Sequence, residues 1–146
     1  MKKTSFLLLL IVTCTQGYTQ SAEDSVKSVI NKLFQAMKNS DGAALKECFA
    51  DSAILQTIAA SGRIRNESVN AFVEQIGTLP KSAADERIQF DVVKTDAALA
   101  LAWTPYQFYY NGAFSHCGVN SFQLVRLNGA WKIQYLIDTR RKAPCQ

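Results

Sequence analysis

His116 is the sole histidine of a chain of 146 residues. An imidazole titrates close to neutral pH, so this side chain is the natural candidate for passing a proton as general acid or base. Asp138 and Arg140 lie two residues apart in a segment that reads as a strand, so they share one face. Their opposite charges suit a salt bridge at a sheet edge or the rim of a site. Arg140-Arg141-Lys142 continues as a short basic run, suited to a solvated end or to an anionic ligand. Metal chemistry is not expected, because there is no second histidine and no closely spaced cysteine pair. No glycine-rich phosphate loop, Gly-x-Ser-x-Gly elbow or zinc motif occurs, and no cofactor is expected.

The charge balance is mild, with 16 Lys+Arg against 12 Asp+Glu, and it lacks the dense basic stripe of a nucleic-acid binder. Hydrophobic residues make up 48% and charged residues 19%, which excludes a disordered chain. No apolar run reaches the roughly 18–20 residues of a membrane span. Residues 1–20 read as a secretory signal peptide: Met1-Lys2-Lys3, an apolar run from Phe6 to Val12, then small and polar residues. Thr15 and Gly17 suit a peptidase site, with cleavage between Gly17 and Gln20, leaving one domain over 21–146. The rival reading lipidates Cys14, but the Thr13 before it suits that poorly. An exported chain, periplasmic or secreted, meets conditions in which disulfides persist. Beyond Cys14, Cys48 falls on a helix face and reads as core, while Cys117 and Cys145 flank a hairpin and are the better pair.

Helical spacing marks a first helix through Val26, Val29, Ile30, Leu33, Phe34 and Met37, entered by Ser21 and Asp24 and stopped at Asn39-Ser40-Asp41-Gly42. A short second helix places Leu45, Cys48 and Phe49 on one side; Ala53 to Ala59 reads as a strand, and Arg63 to Arg65 as a short one. A third helix carries Val69, Phe72, Val73 and Ile76, and Thr78-Leu79-Pro80 ends it. Strands fill the rest, turning at Thr95-Asp96, Asn111-Gly112 and Asn128-Gly129. With two-residue turns throughout, one face collects Ile88, Phe90, Val92, Leu99, Leu101, Trp103, Phe122, Leu124, Ile133, Tyr135 and Ile137, together with Asn120. The interior strand positions then contain no Asp or Glu, and Asp138 and Arg140 face outward unless a bulge turns them in. The class is α+β: three helices in the N-terminal half, packed on a curved, mostly antiparallel sheet.

This order of elements resembles the nuclear transport factor 2-like superfamily, a cone-shaped, cystatin-like fold. Phe49-Ala50-Asp51-Ser52-Ala53 before the first strand and Gly129-Ala130-Trp131-Lys132-Ile133 opening the last carry the resemblance. The segment His116 to Leu124, with Asp138-Thr139-Arg140-Arg141 and Cys145, resembles an exported bacterial branch called lumazine-binding-like or SnoaL-like.

The resemblance implies a pocket between the concave face and the helices. Trp103, Phe122, Phe34 and Phe72 would supply apolar wall, and Gln107, Tyr109, Asn120, Tyr135 and His116 polar groups, for a flat, moderately hydrophobic small molecule. That favours an exported small-molecule-binding domain. Ketosteroid-isomerase-like relatives use a pocket carboxylate and cyclase-like ones a His or Asp, so an enzyme of cyclase or isomerase type would rest on His116. A third expectation is a homodimeric interaction module, pairing through an outer sheet face of Ala100, Ala102, Tyr106 and Phe108.

Overall fold

The computed structural model describes residues 21–145. The signal peptide, the Cys14 alternative and the cleavage site lie outside the described residues.

Helix α1 (Ala22–Asn39) starts where the Ser21 hydroxyl accepts the Asp24 backbone N–H at 3.0 Å. It ends at Ser40, whose φ of 57° turns the chain while its N–H returns to the last helical carbonyls. Asp41 caps α2 (Gly42–Lys46) through the Ala44 N–H at 2.9 Å, and Ser68 caps α3 (Val69–Thr78). The spacing of Val26, Ile30, Leu33 and Phe34 puts them on one side of α1, and all are buried. No helix among the described residues is long and apolar enough to cross a membrane.

The strands are β1 (Phe49–Ile58), β2 (Ile64–Glu67), β3 (Ala84–Ile88), β4 (Val92–Asp96), β5 (Leu99–Tyr110), β6 (Ala113–Leu127) and β7 (Ala130–Thr139). They form one sheet in the order β2-β1-β7-β6-β5-β3, with β4 also on β5. Only β1 with β7 is parallel among these pairs. The fold is the expected α+β, its sheet curved and unclosed over the helices. The core joins α1 to Phe122, Leu124 and Ile133 on the inner face, and Phe34 meets Phe122 edge-on at 6.2 Å.

Local boundaries differ modestly from the sequence pattern. The first strand begins at Phe49 rather than Ala53, so Cys48 and Phe49 follow α2 instead of lying on it. The edge beside β5 is broken into β3 and β4 by Gln89–Asp91, although the N–H groups of Gln89 and Asp91 still bond to β5 carbonyls. The turn into β5 is Ala97-Ala98, not Thr95-Asp96, because Asp96 pairs with Leu99. Both Asn-Gly turns form as read, with positive φ at Asn111, Gly112, Asn128 and Gly129.

The larger difference is register. From the Asn111-Gly112 turn, Tyr110 pairs with Ala113 and Tyr109 with Phe114, but Phe108 then pairs with His116. Ser115 is the extra residue of a β-bulge, and every β5 side chain beyond it changes face relative to the simple hairpin. Ala100, Ala102, Thr104, Tyr106 and Phe108 therefore face the helices, and Leu99, Leu101 and Trp103 face outward. A second bulge does the same to β7. Leu124 pairs with Ile133 but Gln123 with Tyr135, so Tyr135 and Ile137 face out while Leu136 and Asp138 face in. Val92, paired with Trp103, is outward as well, and Val93 is buried in its place.

Gly118 is the most tightly enclosed glycine among the described residues. A methyl group there would lie 1.8 Å from the Thr139 carbonyl oxygen and 2.8 Å from the Tyr106 ring. Gly77, near the end of α3, has nothing within 4 Å of that position. Thermal or urea unfolding should therefore separate two chemically identical changes. Gly118→Ala should destabilise by about 2–3 kcal/mol through overpacking, and Gly77→Ala should stabilise by about 0.5 kcal/mol through helix propensity.

Candidate functional site

The inner face of the sheet and the helices enclose a cavity of about 340 Å³. Its helical wall is apolar but for Gln75: Leu33, Phe34 and Met37 from α1, then Phe72, Ile76 and Leu79 around α3. The sheet side is polar. It gathers Thr57 of β1, Glu86 of β3, His116 and Asn120 of β6, Asp138 of β7, and Arg140 just beyond it.

Asp138 is the hub of that floor. One carboxylate oxygen accepts the Thr57 hydroxyl at 2.5 Å; the other accepts the Tyr106 hydroxyl at 3.0 Å and Arg140 Nε at 2.9 Å. Arg140 Nη2 also donates to Thr57 Oγ1 at 3.1 Å. The carboxylate thus holds three donors drawn from three segments of chain. Burial drives the Tyr106 hydroxyl far above the ordinary phenol range, with the neighbouring carboxylates adding to it, so it stays a neutral donor. Burial works against the Arg140 cation, but Asp138 outweighs it and Arg140 remains charged. The guanidinium keeps further N–H donors in the cavity lining.

Glu86 is differently placed. Asn120 Nδ2 donates to its Oε1 at 2.7 Å, and no partner joins its Oε2 among the described residues. Protein surrounds the carboxyl except toward the cavity. Burial pushes its pKa up to about 7; the Asn120 bond pulls the other way, Asp138 adds to the rise, and Arg140 lowers it. His116 rests against Phe108 with ring centroids 5.0 Å apart and edge-on to Tyr106 at 5.8 Å. Its Nδ1 lies 3.1 Å from the Ser115 hydroxyl. Burial, then Arg140, lowers its pKa, so the ring is neutral at pH 7.

The cavity gathers Phe34, Phe72, His116, Asn120, Asp138 and Arg140. The other expected lining residues lie elsewhere. Phe122 is fully buried behind Phe34 as core, not wall. Trp103 is 43% exposed on the outer face, reversed by the Ser115 bulge. Gln107 and Tyr109 also face outward, where they bond to each other at 3.0 Å and Arg87 stacks on the Tyr109 ring. The Tyr135 hydroxyl bonds to Gln56 on that same face, because of the β7 bulge. The expectation that no carboxylate faces inward fails at Glu86 and Asp138. Ala84, Glu86 and Ile88 alternate along β3 with Glu86 between two inward-facing apolar residues, a signal present in the sequence once the strand is started early enough.

A disulfide joins Cys117 to Cys145, and Cys48 is a free, buried thiol. Cys117 and Arg141 exchange both backbone hydrogen bonds at 2.9 Å, and Lys142 Nζ donates to the Ser115 carbonyl. The tail is thereby strapped beside the bulge that precedes His116, and Arg140 is held between that strap and Asp138.

The raised pKa of Glu86 carries a stability signature. The folded state holds the Glu86 proton more tightly than the unfolded state, so its contribution is fully present below about pH 4.5 and is lost as pH rises to about 7. Glu86→Gln keeps an acceptor for Asn120 and removes the ionisation. In denaturant titrations the variant should be more stable than wild type by roughly 2 kcal/mol at pH 8, with the difference vanishing near pH 4.

A family model described as "Putative lumazine-binding" matches residues 21–134. No curated protein matches the chain. Among solved structures, a cystatin-like domain of unknown function from Nostoc punctiforme superposes with a TM-score of 0.66 at 18% identity, over 86% of this chain and 81% of that one. A nuclear transport factor 2-like protein of unknown function from Silicibacter pomeroyi gives 0.65 at 16% identity, over 80% and 93%. One from Shewanella baltica, also of unknown function, gives 0.65 at 11% identity, over 82% and 93%. At such identities the structural likeness speaks for the cone fold alone. The family model covers most of the described residues, so the chain belongs to the "Putative lumazine-binding" family, and its fold is nuclear transport factor 2-like.

Proposed function

We propose that this is an exported domain that binds a small, largely apolar molecule in the cavity between α1, α3 and the sheet. The observation that carries the reading is the cavity itself: about 340 Å³, apolar on the helical side, with a small set of convergent polar groups on the other. A family described by ligand binding supports it. The Cys117–Cys145 disulfide supports export, since such bonds persist in oxidising compartments.

Acid–base catalysis in the same cavity is a second reading, favoured by one observation. Glu86, with its pKa near 7, is balanced between proton donor and acceptor at working pH. In this reading Glu86 takes the acid–base role first expected of His116, which lines the same cavity as a neutral ring.

We further propose that two copies pair through the outer face of β5. Leu99, Leu101 and Trp103 are exposed there by 54%, 46% and 43%. Ala100, Ala102, Tyr106 and Phe108, first assigned to such a contact, point toward the helices instead. Sedimentation at tens of micromolar should give a dimer that Leu101→Glu converts to a monomer; a wild-type monomer overturns the pairing.

The binding reading is tested with indole as a neutral probe. Ligand-observed NMR should detect binding at a Kd of about a millimolar or tighter. Leu79→Trp, which fills the cavity from the end of α3, should abolish it. Binding that survives this substitution would place the probe elsewhere.

A further inference from the structure

The floor of the cavity contains a carboxyl that nothing among the described residues fully pairs. Arg140 is engaged by Asp138 and Thr57, so the cation nearest the floor already has its anion. Glu86 receives one amide hydrogen bond, from Asn120, and its second oxygen meets only the cavity. This half-buried carboxylate keeps an open acceptor for a donor arriving in the cavity.

The groups facing it can be counted element by element. α1 presents Leu33, Phe34 and Met37, and α3 presents apolar residues and the neutral Gln75. β1 gives Thr57, and β5 gives Phe108 and Tyr110 to the lining. The Tyr106 hydroxyl, near enough to feel the Glu86 charge, is committed to Asp138 and the Thr139 carbonyl. β6 gives Asn120 and neutral His116; β7 and its extension give the Asp138–Arg140 pair. Glu67 of β2 adds another carboxylate to the lining, and Lys142 is drawn off to the Ser115 carbonyl. Once Asp138 and Arg140 are set against each other, the uncompensated charge is negative and belongs to Glu86 and Glu67.

We propose, resting on the small-molecule reading above, that Glu86 selects the ligand, and that the ligand is a flat apolar body bearing a cationic or strongly donating N–H group directed at Glu86 Oε2. The aromatic walls of Phe34, Phe72 and Phe108 take the body, and the carboxylate takes the N–H group through a charge-assisted hydrogen bond. An organic anion is disfavoured, since it would bring a third negative charge into an enclosed space beside Glu86 and Glu67. Ionised Glu86 is the binding form for such a cation. A probe of constant charge therefore binds more tightly as pH rises through about 7, where Glu86 loses its proton.

Benzamidine and benzamide test this, having nearly the same shape and differing in the charged N–H fork. Their affinities should be measured by ligand-observed NMR at pH 5.5 and pH 8.5 for wild type and Glu86→Gln. At pH 8.5 wild type should bind benzamidine about tenfold or more tightly than benzamide. The preference should shrink severalfold at pH 5.5 and be absent from Glu86→Gln at both pH values. Equal affinities at pH 8.5, or a preference that survives Glu86→Gln, would overturn the assignment. If benzamidine and benzamide bind alike while indole binding is still blocked by Leu79→Trp, only the role of Glu86 fails. If indole does not bind either, the cavity reading fails with it.

Discussion

Asp138 is the group around which the floor of the cavity is built. Its two oxygens take hydrogen bonds from Thr57, Tyr106 and Arg140, which reach it from β1, β5 and the chain beyond β7. Each of those donors would be costly to leave unsatisfied near the protein interior, and the carboxylate satisfies all of them at once. The arrangement has steric consequences. Gly118 lies between the Thr139 carbonyl and the Tyr106 ring so closely that only a residue without a side chain fits there. It has an electrostatic consequence too, because an Arg140 that is already neutralised cannot also neutralise Glu86.

Asp138 faces inward only because the sheet is irregular. With regular hairpins, Asp138 and Arg140 would stand on the solvent side and Trp103 on the helix side. Two bulges, at Ser115 on β6 and opposite Gln123–Leu124 on β7, reverse both. The three helices, the Ser21 cap of α1, both Asn-Gly turns and the α+β class were legible, because helical spacing and turn chemistry are local. Asn120, Phe122 and Leu124 were also placed on the correct face, since β6 beyond the bulge was the reference strand for the pattern. The faces of β5 and of the end of β7 were not legible. A bulge is fixed by how two strands and the layer above them fit, and neither Ser115 nor Gln134 carries a residue type that announces one.

The same irregularity explains an oddity of composition. A pattern-based reading places large apolar residues inside, yet β5 buries Ala100, Ala102 and Thr104 and exposes Leu99, Leu101 and Trp103. The small inward residues leave room for α1 to lie close against the sheet, where Phe34 and Phe122 meet. The cavity opens farther along, where the inner face turns from alanine to Asn120, Glu86 and Asp138. The concave face thus has two ends with separate tasks, one of tight packing and one of hollow polar lining.

The Cys117–Cys145 bond bears on how the cavity lining around Arg140 is held. It closes a loop containing the last hairpin and the tail, and the tail residues it secures adjoin Arg140 on one side and the Ser115–His116 bulge on the other. Without it, the tail beside Arg140 is left to hydrogen bonds such as the Cys117–Arg141 backbone pair and Lys142 to Ser115; the bond makes that stretch of the cavity lining covalently part of the sheet.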